Sequence, residues 1–310
     1  ASIWYATGNK NSKPERNIRA QGVAFNDVGD QFVISDSRGC VIVYYIAQNR
    51  YICIAKDTKA SNTVAFISNM KTENFIISNS DYTASIYTPK GKLLAILRGH
   101  RSPITKYWMN TKHRLIMSQS KDVVNLWDRD KHHKVRSIFA HNSTFKDSKF
   151  TADGSKICTL FKDSSIYFWN VSNFDSDYKI NDLPKELQLQ CIDCSPKYLA
   201  CGGKTPYLII YDTELYFTDR ELTKQIYKLP AGFEKGITKL QFLRGKWQFP
   251  TNLIKCLTIA YHNETLAGSR LALLTCGIFV IVEITANEEP DEESKADYTT
   301  IDQKPLKILT

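Results

Sequence analysis

Residues 97–128 read LRGHRSPITKYWMNTKHRLIMSQSKDVVNLWD. Three short runs in this stretch, ITKYWMN, RLIMSQS and VVNLW, mix β-branched and aromatic residues with polar ones. Pro, Asn, Ser and Asp separate them, which is the pattern of strands joined by tight turns. A fourth such run, KVRSIFA, follows at residues 134–140. The aromatic residue that ends the third run, Trp127, has counterparts along the chain at Tyr44, Tyr87, Trp169 and Tyr211, with successive spacings of 43, 40, 42 and 42 residues. Each closes a run of the same kind: VIVY, TASIY, SIYFW and YLIIY.

A period of about 40 residues with four short strands per unit is the signature of a β-propeller, an all-β architecture. A chain of 310 residues more often forms two domains, but a closed propeller reaches this length as one. The units are expected at residues 20–57, 60–100, 102–141, 143–184, 187–230 and 235–310, after a basic N-terminal segment, residues 1–19. The sixth unit is irregular. Its marker position, Ile281, lies 70 residues after Tyr211, which makes residues 245–268 an insertion. Residues 288–297, EEPDEESKAD, hold six acids and one lysine and read as a solvated loop. A last strand, PLKILT, ends the chain. Six blades are visible where seven are usual. The seventh is expected beyond Thr310, and residues 3–19 offer an edge strand, since an open blade leaves backbone groups unpaired.

Composition excludes several classes. Hydrophobic residues make up 43% and aromatics 12%, enough for a large core. No run of eighteen apolar residues suggests a membrane span. No charged-then-apolar leader opens the chain, so it reads as a cytosolic piece of something longer. The sequons at Asn142, Asn170 and Asn263 are then chance matches. Cys40, Cys53, Cys158, Cys201 and Cys276 fall inside strand-like runs, where a thiol acts as a small buried hydrophobe. Cys191 and Cys194 form a CxxC, but residues three apart in a strand face opposite ways and cannot readily share a metal or a disulfide.

Gly99-His100 precedes Trp127-Asp128 by 27 residues, measured from His100 to Trp127, and Ala140-His141 precedes Trp169-Asn170 by 28. Gly-His followed by Trp-Asp at this distance resembles the repeat of WD40 proteins. The resemblance implies a hydrogen-bonded tetrad in each such unit: His100, Ser118, Asp122 and Trp127 in the third, and His141, Thr159, Asp163 and Trp169 in the fourth. In it the carboxylate orients the imidazole and the indole N–H finds a partner. The first, second and fifth units carry Tyr in place of Trp, and the fifth has Thr205 where Asp is expected. Those units should depend more on packing than on polar networks.

The histidines recur once per repeat, whereas a catalytic set would occur once. No catalytic, metal-binding or cofactor-binding residue is therefore assigned, and no cofactor is expected. Gly203-Lys204-Thr205 lacks the upstream glycine of a phosphate-binding loop and reads as a hairpin turn. His132-His133 lies in a polar loop without companion ligands at metal spacing.

A finer resemblance rests on four runs in order: Val23-Ala-Phe-Asn-Asp-Val-Gly-Asp30, Leu97-Arg-Gly-His100, Phe161-Lys-Asp-Ser-Ser-Ile166 and Cys201-Gly-Gly-Lys204. With the irregular sixth unit, they are similar to the N-terminal propeller of WD40 proteins that also carry a TBC domain. That family implies a scaffold at the centrosome, centriolar satellites, basal body or cilium. Its partners would be proteins, among them other WD40 scaffolds or tubulin. It also implies a TBC domain further along the chain. TBC domains stimulate GTP hydrolysis on Rab proteins through an Arg and a Gln. Neither motif occurs in these residues, so no such activity is expected of them.

Charge is a separate clue. The net charge is +9, and the acidic run 288–297 contributes −5, leaving +14 on the remainder. Basic residues cluster at Lys10, Lys13, Arg16 and Arg19 and again at Arg129, Lys131, Lys134 and Arg136. Such a surface favours acidic partners by long-range steering. A microtubule surface and nucleic acid both qualify, beside a merely lysine-rich solvated surface. No RNA-reading aromatic motif stands out, and nucleic acid is not the expected partner. The insertion 245–268 and the loop at 129–136 are the candidate binding elements.

Overall fold

Each repeat folds as four consecutive strands that pair antiparallel, giving six four-stranded sheets among the described residues. The structure is a computed structural model, and it describes residues 20–26, 28–36, 39–55, 60–68, 73–140, 143–220, 222–229, 236–242, 270–275, 278–283 and 308–309. The first sheet holds β1 (Ala20–Phe25), β2 (Gln31–Asp36), β3 (Val41–Tyr45) and β4 (Arg50–Ala55). The second holds β5 (Ala60–Ser68), β6 (Glu73–Asn79), β7 (Ala84–Tyr87) and β8 (Leu93–Leu97). The third holds β9 (Lys106–Asn110), β10 (Leu115–Gln119), β11 (Val123–Asp128) and β12 (Lys134–Phe139). The fourth holds β13 (Phe145–Phe150), β14 (Lys156–Phe161), β15 (Ile166–Asn170) and β16 (Ser176–Ile180). The fifth holds β17 (Leu189–Cys194), β18 (Tyr198–Gly203), β19 (Tyr207–Asp212) and, after a helix α1 (Thr213–Asp219), β20 (Lys224–Lys228). The sixth holds β21 (Lys239–Phe242), β22 (Arg270–Thr275), β23 (Ile278–Glu283) and β24 (Ile308–Leu309), with Ile308 opposite Val282. The chain divides into two units at Phe145/Lys146. The expected N-terminal strand, the insertion 245–268 and the acidic run 288–297 lie outside the described residues, as does the expected seventh blade.

Neighbouring sheets within each unit share their cores. In the first unit, Ile67, Ile76, Ile86 and Leu97 of the second sheet pack with Tyr107, Ile116 and Trp127 of the third. Val33, Val41 and Val43 of the first sheet pack with Phe66, Phe75 and Ile77 of the second. In the second unit, Leu160, Ile166 and Phe168 meet Ile192, Leu199 and Tyr211, while Ala200, Leu208 and Ile210 meet Ile237, Leu240 and Phe242. An inner sheet therefore buries both faces. That is why its strands read as nearly continuous apolar runs such as YLIIY instead of alternating apolar and polar residues. Each fully buried Leu, Ile or Phe contributes roughly 1.5–3 kcal/mol of transfer free energy.

The two faces separate the CxxC cysteines. Cys191 packs with Leu240 and Phe242, and Cys194 packs on the other face with Cys158 and Cys201. Cys40 and Cys53 depart from the expected buried state, being only half-buried. Cys40 lies just before β3, and Cys53 lies on β4, the last strand of its sheet. Gly203 ends β18, and Lys204 and Thr205 sit in the turn to β19.

Polar links also join the leading strands of neighbouring sheets. Asp147 on β13 accepts a bond from the Ile192 N–H on β17 at 3.0 Å. Asp193 on β17 accepts one from the Phe242 N–H on β21 at 2.7 Å. The Lys149 amine lies 3.2 Å from the other oxygen of Asp193, and all three charged side chains are buried. In the first unit the Thr63 hydroxyl on β5 donates to the Ile104 carbonyl at 3.1 Å. The sequence places no carboxylates on the leading strands as functional groups, and here their oxygens are taken up by backbone donors and a lysine.

Helix α1, like the short 3-10 turn Lys185–Leu187, is a departure from strands that the repeat pattern does not anticipate. Asp212 caps it, accepting from Glu214 N and Leu215 N at 3.0 and 3.1 Å. The helix lies on β16: the Tyr178 hydroxyl donates to Phe217 O and the Tyr216 hydroxyl to Lys179 O, both at 2.9 Å. The Arg220 guanidinium stacks 3.9 Å from the Tyr178 ring centre.

Candidate interaction surface

The third sheet carries the most complete polar network. Its indole Nε1–H donates from Trp127 to the Ser118 hydroxyl at 2.8 Å. Ser118 Oγ lies 2.7 Å from His100 Nε2, and His100 Nδ1 lies 3.0 Å from Ser120 Oγ. Ser120 donates to Asp122 at 2.9 Å, and Ser102 donates to the same carboxylate oxygen. One set of protons satisfies the whole chain. Ser120 gives its hydrogen to the carboxylate, so Nδ1 of the imidazole must be the donor to Ser120. Nε2 is then the acceptor for the Ser118 hydroxyl, which in turn accepts from Trp127. The Asp122 carboxylate is thus hydrogen-bonded to His100 by way of the Ser120 hydroxyl, and it orients the imidazole through that bridge.

The charges agree with this reading. Burial pushes the His100 imidazole down to about 4, against a smaller upward pull from Asp122, with Lys134 adding a further downward push. Burial alone would raise the Asp122 carboxyl. The hydroxyls of Ser102 and Ser120, its own backbone N–H and His100 together outweigh burial and hold it below the usual range. Gly99, at φ +147°, adopts a backbone that side-chain-bearing residues rarely reach. A Cβ there would lie 3.2 Å from the Lys134 amine.

Elsewhere the pattern is partial. In the fourth sheet, Trp169 donates to the Thr159 hydroxyl at 2.9 Å. Asp163 is turned to its own loop, accepting from the Ser165 hydroxyl at 2.6 Å. His141 lies outside the described residues. In the fifth sheet the buried Tyr211 hydroxyl donates to Asp182 at 3.2 Å, and Asp182 also pairs with Lys224. Tyr44 of the first sheet donates to Asn49. Tyr44 and Tyr211 therefore keep polar anchors, in different places from the Trp units, while Tyr87 stacks on Phe75. A phenol reaches further from the strand than an indole N–H does, so it meets other partners.

The third sheet is also the basic one. Residues 98–140 contain ten Lys or Arg and three Asp, a net charge of +7. The three acids are engaged. Asp122 is bound by Ser102 and Ser120, Asp128 caps a turn through the Asp130 and Lys131 N–H groups at 2.9 and 2.7 Å, and Asp130 pairs with Arg114 and Arg129. The exposed cations group at three places. Arg101 and Lys121 immediately precede Ser102 and Asp122, so the bond between those two residues brings the cations together at one end of the sheet. At the opposite end, Arg129 N donates to Arg114 O at 2.8 Å and joins the turns that hold Arg114, Arg129 and Lys131. Lys134 and Arg136 lie along β12, an edge strand, with exposed Val135 and Phe139. Of the four candidate residues, Lys131, Lys134 and Arg136 are exposed. The Arg129 side chain is 11% exposed, folded against its neighbours. The remaining basic residues, Arg98, Arg101, Lys106, Lys112, Arg114 and Lys121, escape a search for local runs because they are spread over the whole repeat. Summing charge over one repeat period reveals them.

Comparison with solved structures decides the architecture. The C-terminal WD40 domain of Sif2 superposes with a TM-score of 0.60 at 14% identity, covering 86% of this chain and 70% of that one. The fold is a WD40 β-propeller. No family model matches the chain. Among curated proteins, the chain resembles TBC1 domain family member 31 of Xenopus laevis, 27% identical over 238 residues, 75% of this chain and 21% of that protein. The mouse protein of the same name is 25% identical over 243 residues and the human one 24% over 243, each covering 76% of this chain. The chain therefore spans about a fifth of the length of the relatives it matches.

No three His, Cys, Asp or Glu side chains converge as metal ligands among the described residues. No helix there is long and apolar enough to cross a membrane. A cavity of about 170 Å³ under α1 is lined by residues including Phe168, Cys194, Pro196 and Phe217. That volume is below the roughly 300–1,000 Å³ of sites that hold drug-sized ligands.

Proposed function

We propose that this propeller is a non-catalytic interaction module that anchors a larger protein in a centriolar, basal-body or ciliary assembly by docking an acidic protein surface on its third blade. The fold and the relatives support a WD40 interaction module. The observation that carries the finer reading is the concentration of charge: most of the chain's net positive charge sits on one blade whose acids are already engaged. An acidic microtubule surface is the occupant that this charge fits, because long-range steering sums over many charges of one sign. Co-sedimentation with isolated basal bodies or axonemes tests the assignment. The propeller should pellet with them, and recovery only in the soluble pool at low salt would overturn it.

A second reading makes the propeller the targeting domain of a Rab GTPase-activating protein. It is favoured by the name of the relatives, TBC1 domain family member 31, and by the small share of their length that the chain spans. The full protein would carry a TBC domain with its Arg and Gln. Purified full-length protein should then accelerate GTP hydrolysis on a Rab panel, and a TBC domain lacking both residues would leave scaffolding alone.

A further inference from the structure

We propose that Cys40 and Cys53 form a reversible disulfide across β3 and β4, a redox-modification site for a small disulfide of the glutathione class. Their sulfur atoms are 3.3 Å apart. The register explains why. Ile42 stands opposite Cys53, and Cys40 lies two residues before Ile42, so all three side chains share one face of the sheet. The pairing of β3 with β4 shifts register between Val41 and Ile42, which leaves Ile54 as an extra residue of the outer strand between Cys53 and Ala55, and a bulge of this kind bends the strand that carries it. The backbone of Cys40 is pinned from the other side: its N–H donates to the Asp36 carboxylate at 2.9 Å, and its carbonyl accepts from Asp36 N at 3.0 Å. Both thiols are half-buried, within reach of solvent, whereas Cys158, Cys191, Cys194 and Cys201 are buried. The pair thus differs from the other described cysteines in access.

The chemistry balances with one oxidant molecule. One protein thiolate attacks a sulfur of glutathione disulfide, forming a mixed disulfide and expelling one glutathione thiolate. The second protein thiolate attacks the protein sulfur of that mixed disulfide and expels the second glutathione. Two protons leave the two cysteines and two glutathione thiols are produced, and an excess of reduced glutathione reverses both steps. The new bond ties the edge strand β4 to β3.

The test uses the 310-residue protein in buffers of rising oxidised-to-reduced glutathione ratio, quenched in acid, alkylated and digested without reduction. The expected result is a Cys40–Cys53 linked peptide, loss of two alkylatable thiols, and a melting temperature several degrees higher that returns to its starting value with dithiothreitol. Cys40→Ser and Cys53→Ser should each abolish the linked peptide and the thermal shift. The linked-peptide measurement on the unsubstituted protein needs no variant, so a poorly folding variant does not shield the idea. Two thiols that stay alkylatable under oxidised glutathione, or that end as two separate glutathione adducts, would overturn it.

Discussion

His100 stands between two serine hydroxyls, and that placement fixes the direction in which its titration acts. Its pKa in the folded chain, about 4, is below the usual 6.5. The unfolded chain therefore takes up the proton first as pH falls. The stabilising share of this group is complete above pH 6.5 and is lost between 6.5 and about 4. A shift of this size corresponds to on the order of 3 kcal/mol. Thermal melts at pH 7 and pH 4.5 should show a larger loss for the unsubstituted protein than for His100→Gln, because other carboxylates titrate in both. Equal losses would mean that His100 is not buried neutral. At the neighbouring position, Trp127→Ala should cost roughly 3–5 kcal/mol as a large buried aromatic. Trp127→Phe should cost less, chiefly the indole hydrogen bond to Ser118, about 1–2 kcal/mol. Chemical denaturation of the two variants side by side measures the difference. Four of the six groups in this network are legible in the spacing of Gly-His and Trp-Asp, and Ser102 is not among them. Nor is Ser120, because spacing cannot say that Asp122 turns toward two hydroxyls instead of the imidazole.

At the scale of elements, the strands were readable where helix α1 was not. Strands repeat, so each aromatic marker is supported by four others. The segment TELYFTD is two turns long and occurs once, too short for a helical period to show. Its trace in the sequence is local: Asp212 ahead of Thr213 and Glu214, a capping residue followed by an acidic first turn. The linked leading strands were equally silent, since Asp147, Lys149 and Asp193 look like ordinary surface charges until the next sheet is placed beside them. They make a sharp prediction. Asp193→Ala removes the acceptor of the Phe242 N–H and a carboxylate beside the buried Lys149 amine, and should cost roughly 3–5 kcal/mol. Adding Lys149→Met should recover part of the loss, because the buried amine that faced Asp193 is then gone. Urea denaturation of the single and double variants decides it: a double variant weaker than the sum of its parts would show that the ion pair is not what holds the strands.

Across the whole molecule, the architecture was legible because every repeat obeys the same packing rule, whereas the binding surface was not, because charge obeys no repeat. The runs at 10–19 and 129–136 catch the eye, but the structure distributes the relevant cations over both ends and the edge of a single blade. A surface of this kind acts at a distance, so its signature is sensitivity to ionic strength. The variant Arg101→Glu, Lys121→Glu, Lys131→Glu lowers the net charge from +9 to +3. It alters exposed side chains only, so its melting temperature should stay close to that of the unsubstituted chain. Its affinity for stabilised microtubules should fall by about tenfold at low salt, the lower end of what steering supplies. The unsubstituted propeller should itself weaken as ionic strength rises from about 0.01 to about 0.15 M, where the screening length shrinks from about 30 to about 8 Å. The two curves should converge at the high end. Binding that ignores both salt and the triple reversal would place the docking surface elsewhere, on apolar contacts such as the exposed edge of β12 with Val135 and Phe139.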